Sequence, residues 1–278
     1  MTRNIGIMKD TFGESPLIHA VKESNFELID FILSQGGNIN TKDTKGYTAL
    51  MIGCMSGNRK VVQNLVNKKA DLSIENKQGH TASVLSAMKG HNKLIKFLQQ
   101  SGDKTPKHKL MSASLFYLAR KGRVSKIQSI LDSKEFKKGL VNINFCNEKK
   151  WSPLIVASQN GKIDVVKLLL KYSKNENENE NEEETNNKIV NLNLASSLKT
   201  TALMHASRSG NHEIIKLLLN HKVDINAQDI RGYSSLHYAT NAETVIALKD
   251  GGIDVTLQDT QGRTAKEFWD NEELKKLL

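Results

Sequence analysis

The sequence predicts an all-α solenoid of helix-turn-helix units joined by hairpin-like turns. Three observations carry this. Gly13, Gly46 and Gly79 recur at a spacing of 33 residues, the size of one supersecondary unit. Each is followed two residues later by Ser or Thr and a short apolar stretch (ESPLIHAV, YTALMIGC, HTASVLSA), a phrase that returns as WSPLIVAS, TTALMHAS, YSSLHYAT and RTAKEFW. Behind it runs a second apolar phrase (ELIDFIL, KVVQNLV, KLIKFLQ, SKIQSIL, DVVKLLL, EIIKLLL), and a third closes the unit (GNIN, ADLS, VNIN, VNLN, VDIN, IDVT). Chance does not keep three phrases in one order.

Each phrase has a physical task. Asp43-Thr44-Lys45-Gly46 and Asp229-Ile230-Arg231-Gly232 read as tight turns. The Ser or Thr that follows is placed to cap a first, short helix by accepting one of its unpaired N–H groups. A glycine (Gly57, Gly90, Gly122, Gly161, Gly210) then suits a reversal into an antiparallel second helix. In that helix Val61, Val62, Leu65 and Val66 form one apolar face, and Ile214, Ile215, Leu218 and Leu219 repeat the arrangement. The closing phrase exits in extended form.

These residues resemble the ankyrin repeat, whose family pattern is D-x-x-G-x-T-P-L-H-x-A-A-x-x-G, then V-x-x-L-L, then G-A-D-x-N. The resemblance covers residues 10–278. It divides one ankyrin-repeat domain, 1–278, into repeats at about 10–42, 43–75, 76–108, 109–146, 147–195, 196–228 and 229–258, with a half-repeat at 259–278. There are departures. His237 alone keeps the histidine after the leucine, and the fourth repeat lacks the turn, which places a break in stacking at repeats three to four. That repeat carries extra residues around Ser133 to Leu140, the fifth is lengthened by an Asn/Glu-rich run, and the seventh is short near Asn241 and Ala242. Insertions in such stacks map to loops, so residues 174–188 are expected to be a disordered loop.

Composition narrows the function classes. The chain has 278 residues, 38% apolar and 25% charged, with no apolar run long enough for a membrane span. The N-terminus lacks the apolar core of a secretory signal. Two cysteines, Cys54 and Cys146, provide neither a disulfide framework nor a four-ligand zinc site. A cytoplasmic protein is expected, with the nucleus as the alternative. The net charge of +10 is concentrated: between Lys104 and Lys150 stand twelve Lys/Arg against three acids, while six glutamates fall between Asn175 and Asn187.

Catalytic patterns are missing. No phosphate-binding glycine loop, dinucleotide fingerprint or nucleophile elbow occurs. Neither cysteine has a histidine at nucleophile or ligand spacing, and the glutamates of the Asn/Glu run lack the spacing of a calcium loop. His19 and His205 share one slot of the repeat beside an alanine, which fits periodic packing better than a metal or general-base site. The expectation is a non-enzyme with no cofactor and no metal.

The resemblance implies binding of a partner protein on a concave face of turn tips and first helices, by a monomer acting as scaffold or adaptor. Carried over by position, the residue after the turn glycine is Tyr47, His80 and Tyr233, with Trp151 in the fifth repeat, and partly exposed aromatics there would anchor a partner. The column ending the first helix reads Met55, Met88-Lys89, Arg120-Lys121 and Arg208. With Lys149, Lys150 and Arg231 it forms a basic face suited to an acidic or phosphorylated partner. The alternative is nucleic-acid or phospho-ligand binding through the basic region 104–150, which no nucleic-acid motif accompanies.

Overall fold

The computed structural model describes Asp10, residues 13–173 and residues 187–278. The chain divides into two compact units, one ending at Ser114 and the other beginning at Leu115. The division falls within the fourth repeat.

The first unit contains three helix pairs: α1 (Pro16–Lys22) with α2 (Phe26–Ser34), α3 (Ala49–Ser56) with α4 (Arg59–Asn67), and α5 (Ala82–Lys89) with α6 (Asn92–Gln100). Ser15, Thr48 and Thr81 each accept the N–H of the residue three positions on, as the spacing predicts. Each such cap contributes about 1 kcal/mol. The middle helix α3 packs on α1, α4 and α5. Val61, Val62 and Leu65 turn their apolar face inward and are fully buried.

The division between the units lies inside α7 (Lys107–Lys121), a 15-residue helix that replaces the missing turn and the short first helix of the fourth repeat. The second unit continues with α8 (Val124–Leu131), α9 (Lys134–Lys137), α10 (Pro153–Gln159) with α11 (Ile163–Leu170), and α12 (Ala202–Arg208) with α13 (His212–Leu219). It ends with α14 (Ala242–Asp250), α15 (Ala265–Phe268) and α16 (Glu272–Lys275). α10 packs on α12, and α11 packs on α8 and α13.

Three expectations need correction. The extra residues around Ser133 are not a plain loop. Ser133 caps α9, and Phe136 is buried edge-on against Tyr172 with ring centroids 5.5 Å apart. An apolar anchor inside the insertion is what folds it. The seventh repeat has no first helix: residues 235–238 form only a turn, and the Ser234 hydroxyl, which would cap a helix by accepting an N–H, is bonded instead to His237 Nδ1, which also accepts the Ser234 N–H. Most of the Asn/Glu segment lies outside the described residues. Its end is ordered, since the Asn187 carbonyl accepts the Ile143 N–H and the Asn187 amide donates to the Gly139 carbonyl.

One device builds the turns that open repeats two, three, five, six and seven and the half-repeat. The first residue accepts two backbone N–H groups on its side-chain oxygen: Asp43 those of Lys45 and Tyr47, Asn147 those of Lys149 and Trp151, Asp229 those of Arg231 and Tyr233. Asn76, Ser196 and Asp259 do the same. The fourth turn residue adopts positive φ. At Gly46 and Gly232 a side chain is impossible, because a Cβ would come within 2.9 Å of the next turn's backbone. In the fifth and sixth repeats that position is Lys150 and Lys199, with φ of 56° and 60°.

Consecutive turns are bonded to each other. In the first unit the Lys77 N–H donates to the Lys45 carbonyl. In the second, Ser197 donates to Lys149, Ile230 to Leu198 and Thr260 to Arg231, forming a ladder of four turn tips. The tips remain turns rather than strands. Among the described residues the single bridge is Gln258 with Thr264.

Candidate interaction surface

The tip ladder of the second unit forms one edge of the candidate surface. Lys149, Lys150, Leu198, Lys199, Ile230 and Arg231 are all exposed along it. Behind the tips lie Trp151 and Tyr233, both half-buried. Trp151 meets the His205 ring at 4.6 Å between centroids. Tyr233 packs against Phe268 at 4.8 Å and carries the Arg231 guanidinium 4.4 Å above its face.

The opposite edge is the row of helix reversals. Gly122 faces Lys162, Gly161 faces the Asn211 amide, and the Asn241 amide donates to the Gly210 carbonyl, so the reversals follow one another in order. Arg120, Lys121, Arg123 and Arg208 are exposed on this row. Sequence reasoning pooled Arg120 and Lys121 with Lys149 and Lys150. The structure separates the pairs: tips precede a first helix and reversals follow it. A seven-residue helix such as α10 is roughly 10 Å long.

The first unit corrects the aromatic column. Tyr47 is 3% exposed and His80 6%, so the partial exposure expected for both does not hold. Met88 is buried too, at 6%. Met55 is half-buried and Lys89 is exposed. The column is therefore part of the core in repeats two and three, and opens to solvent at Trp151 and Tyr233.

A buried polar network supports Trp151. The His205 Nδ1–H donates to the Gln159 side-chain oxygen, which leaves Nε2 to accept from the Thr200 hydroxyl at 3.0 Å. Thr200 bonds Ser196 in turn. Burial lowers the His205 pKa to about 4, with Arg208 adding in the same direction, so the imidazole is neutral at pH 7. At the next tip, Arg231 donates to the Tyr238 hydroxyl, and that hydroxyl donates to Asp229, both at 2.7 Å. Asp259 binds Arg263 through two N–H groups at 3.0 and 2.7 Å. Burial raises the Asp259 pKa, but the Arg263 and Gln261 hydrogen bonds outweigh it and hold the group down to about 2. These carboxylates are spent inside the turns.

The cysteines and one acidic cluster are the other reactive groups of note among the described residues. Burial pushes the Cys54 thiol up to about 12 against a hydrogen bond from Ser86, and burial takes Cys146 to about 11, so neither forms a thiolate at neutral pH. Asp10, Glu14 and His19 bring ligand-type atoms within 4.8 Å of one another. The Lys22 ammonium lies 2.6 Å from both Glu14 oxygens, and His19 bonds Asp10 at 3.0 Å, so these ligand-type atoms are already engaged within the protein. With its side chain 48% exposed, His19 does not share the packing role that its slot gives His205.

Models of known families now decide the family. A model of ankyrin repeats in three copies matches residues 3–76 and 183–259, and a single ankyrin repeat matches residues 149–180. The chain belongs to the ankyrin-repeat family. Ankyrin repeats are in general protein-protein interaction modules and are typically not enzymes. In this ankyrin-repeat chain, residues 77–148 lie between the matches, although α5 and α6 keep the paired arrangement there. No curated protein matches the chain. No helix among the described residues is long and apolar enough to cross a membrane.

Proposed function

We propose that the chain is a non-catalytic adaptor that holds an acidic or phosphorylated partner protein on the face between the turn tips and the helix reversals of the second unit. One observation carries the reading. Half-exposed Trp151 shares its turn with two exposed cations, Lys149 and Lys150, and neither is in an ion pair among the described residues. An aromatic anchor beside unpaired cations suits carboxylates or phosphates next to an apolar residue. Arg208, Arg120 and Lys121 supply further positive charge along the reversals.

The test is affinity capture from lysate, with and without nuclease, using the wild type, K149E/K150E and W151A. Protein partners that survive nuclease and are lost with both variants support the adaptor. Capture that collapses with nuclease would move the reading to nucleic acid, and partners retained by both variants would move the surface elsewhere.

A further inference from the structure

Leu198 and Ile230 are 55% and 53% exposed, two of the three described large apolar side chains above one half. They stand on adjacent turn tips, joined by the Ile230 N–H to Leu198 carbonyl bond of 3.1 Å. The turn itself has no need for them. Among the other turns, Thr44 and Lys45, Lys77 and Gln78, Glu148 and Lys149, and Thr260 and Gln261 are polar at these two positions, and Asp10-Thr11-Phe12-Gly13 alone also carries an apolar residue there. Exposing two aliphatic side chains side by side has a cost in solubility that a turn residue such as Thr avoids.

Their surroundings define what can cover them. Lys149 and Lys150 lie on one neighbouring tip, and Lys199 and Arg231 share the two tips themselves. The carboxylates of Asp229 and Asp259 are each 1% exposed and bonded inward, leaving Glu148 as the exposed acid of this ladder. The patch is thus apolar at its centre and cationic around it. A second copy of this chain, at +10, would bring like charge to it. Each tip is also pinned by backbone N–H groups that donate to the side-chain oxygens of Ser196 and Asp229, so little order has to be gained on binding.

We propose that Leu198 and Ile230 anchor a short segment of a partner protein that carries neighbouring apolar residues flanked by Asp or Glu. This rests on the adaptor reading and gives its partner a chemical class. The apolar residues of the segment cover the two tips while its carboxylates reach Lys149, Lys150, Lys199 and Arg231.

The experiment selects from a display library of random 12-residue peptides on the full chain, and resynthesises the enriched peptides for titration. Expected winners carry an apolar pair flanked by acids and bind L198S/I230S about 30-fold more weakly, with helical content and Tm unchanged. Replacing the apolar pair of the peptide by Ser should lose a similar factor. Should the double variant lose its fold, I230T gives the comparison, since Thr44 and Thr260 already occupy that tip position. Three results overturn the inference: no enrichment, winners without the apolar pair, or equal binding to the tip variants. Acidic winners that ignore Leu198 and Ile230 but are lost with K149E/K150E would sink this inference and leave the adaptor standing. Winners that ignore all four residues would sink both.

Discussion

The two compact units use the same turn but finish it differently. In the first, the aromatic slot holds Tyr47 and then His80, large rings in consecutive repeats, and both are buried. In the second the slot holds Trp151 and then Thr200, a small residue, and Trp151 stays half-exposed with its ring on His205. The tips also differ: repeats two and three carry Thr44, Lys45, Lys77 and Gln78, whereas in the second unit Leu198 and Ile230 stand on adjacent tips among Lys149, Lys199 and Arg231. One position in a repeat therefore does not have one role. What packs around the position in each repeat decides whether a ring is core or surface: His80 is buried although the fourth repeat lacks the turn, whereas Trp151 is left half-exposed against His205.

The comparison can be broken most forcefully at the backbone. Gly232→Val would place a branched side chain where even a Cβ lies 2.9 Å from the Asp259 Cα. It should destabilise the second unit by about 3 kcal/mol or more. Both tryptophans, Trp151 and Trp269, lie in that unit, so their emission during urea unfolding reports on it alone. An unchanged emission midpoint would show that the tip ladder is not structural.

Tyr47→Ala tests the other side. It should cost about 3 kcal/mol, seen by circular dichroism, and leave the partner capture of the folded protein intact. Trp151→Ala should do the reverse, losing capture at a smaller cost in stability. If both behave alike, the distinction between core ring and surface ring fails.

Acid distinguishes the network beneath Trp151. His205 is neutral in the folded protein down to about pH 4, whereas an unfolded histidine takes up its proton near 6.5. The unfolded state thus binds more protons between these values, and stability falls as pH drops through that window. The loss between pH 7 and pH 4 should be on the order of 2 kcal/mol by Trp emission. His205→Asn should flatten that part of the profile. Burial also lowers the His237 pKa, which contributes in the same direction.

The smallest expected effect is a gain. Lys150 and Lys199 hold positive φ where Gly46 and Gly232 stand in other turns. Lys150→Gly and Lys199→Gly should each stabilise the second unit by about 1 kcal/mol through relief of the left-handed backbone. Gly46→Lys in the first unit should destabilise, because its Cβ would meet the Lys77 nitrogen at 2.9 Å. A loss of partner capture with K150G at unchanged stability would tie the lysine side chain to binding.

Much of this was written locally. The 33-residue spacing marked the repeat, Ser15, Thr48 and Thr81 announced their helices, and Val61, Val62 and Leu65 announced a buried face. These features depend on hydrogen bonds and periodicities within a few residues, so a reader of the chain can recover them. Of the candidate surface, Lys149, Lys150, Trp151, Arg231 and Tyr233 were legible because each sits at a fixed offset in the turn. Leu198 and Ile230 were missed. The available signal was the appearance of apolar residues on two consecutive tips, at positions that are polar in four of the other five turns.

The sequence by itself determined the repeat, its paired helices and the turn that joins them, since each is set by nearest neighbours along the chain. Only the tertiary structure decided that Tyr47, His80 and Met88 are core and that Arg120 and Lys121 lie on a different edge from Lys149 and Lys150. It also placed Leu198 beside Ile230 and folded α9 through Phe136 against Tyr172. Those outcomes depend on the size and hydrogen bonding of residues one repeat away, and a side chain's exposure is fixed by what packs beside it in space.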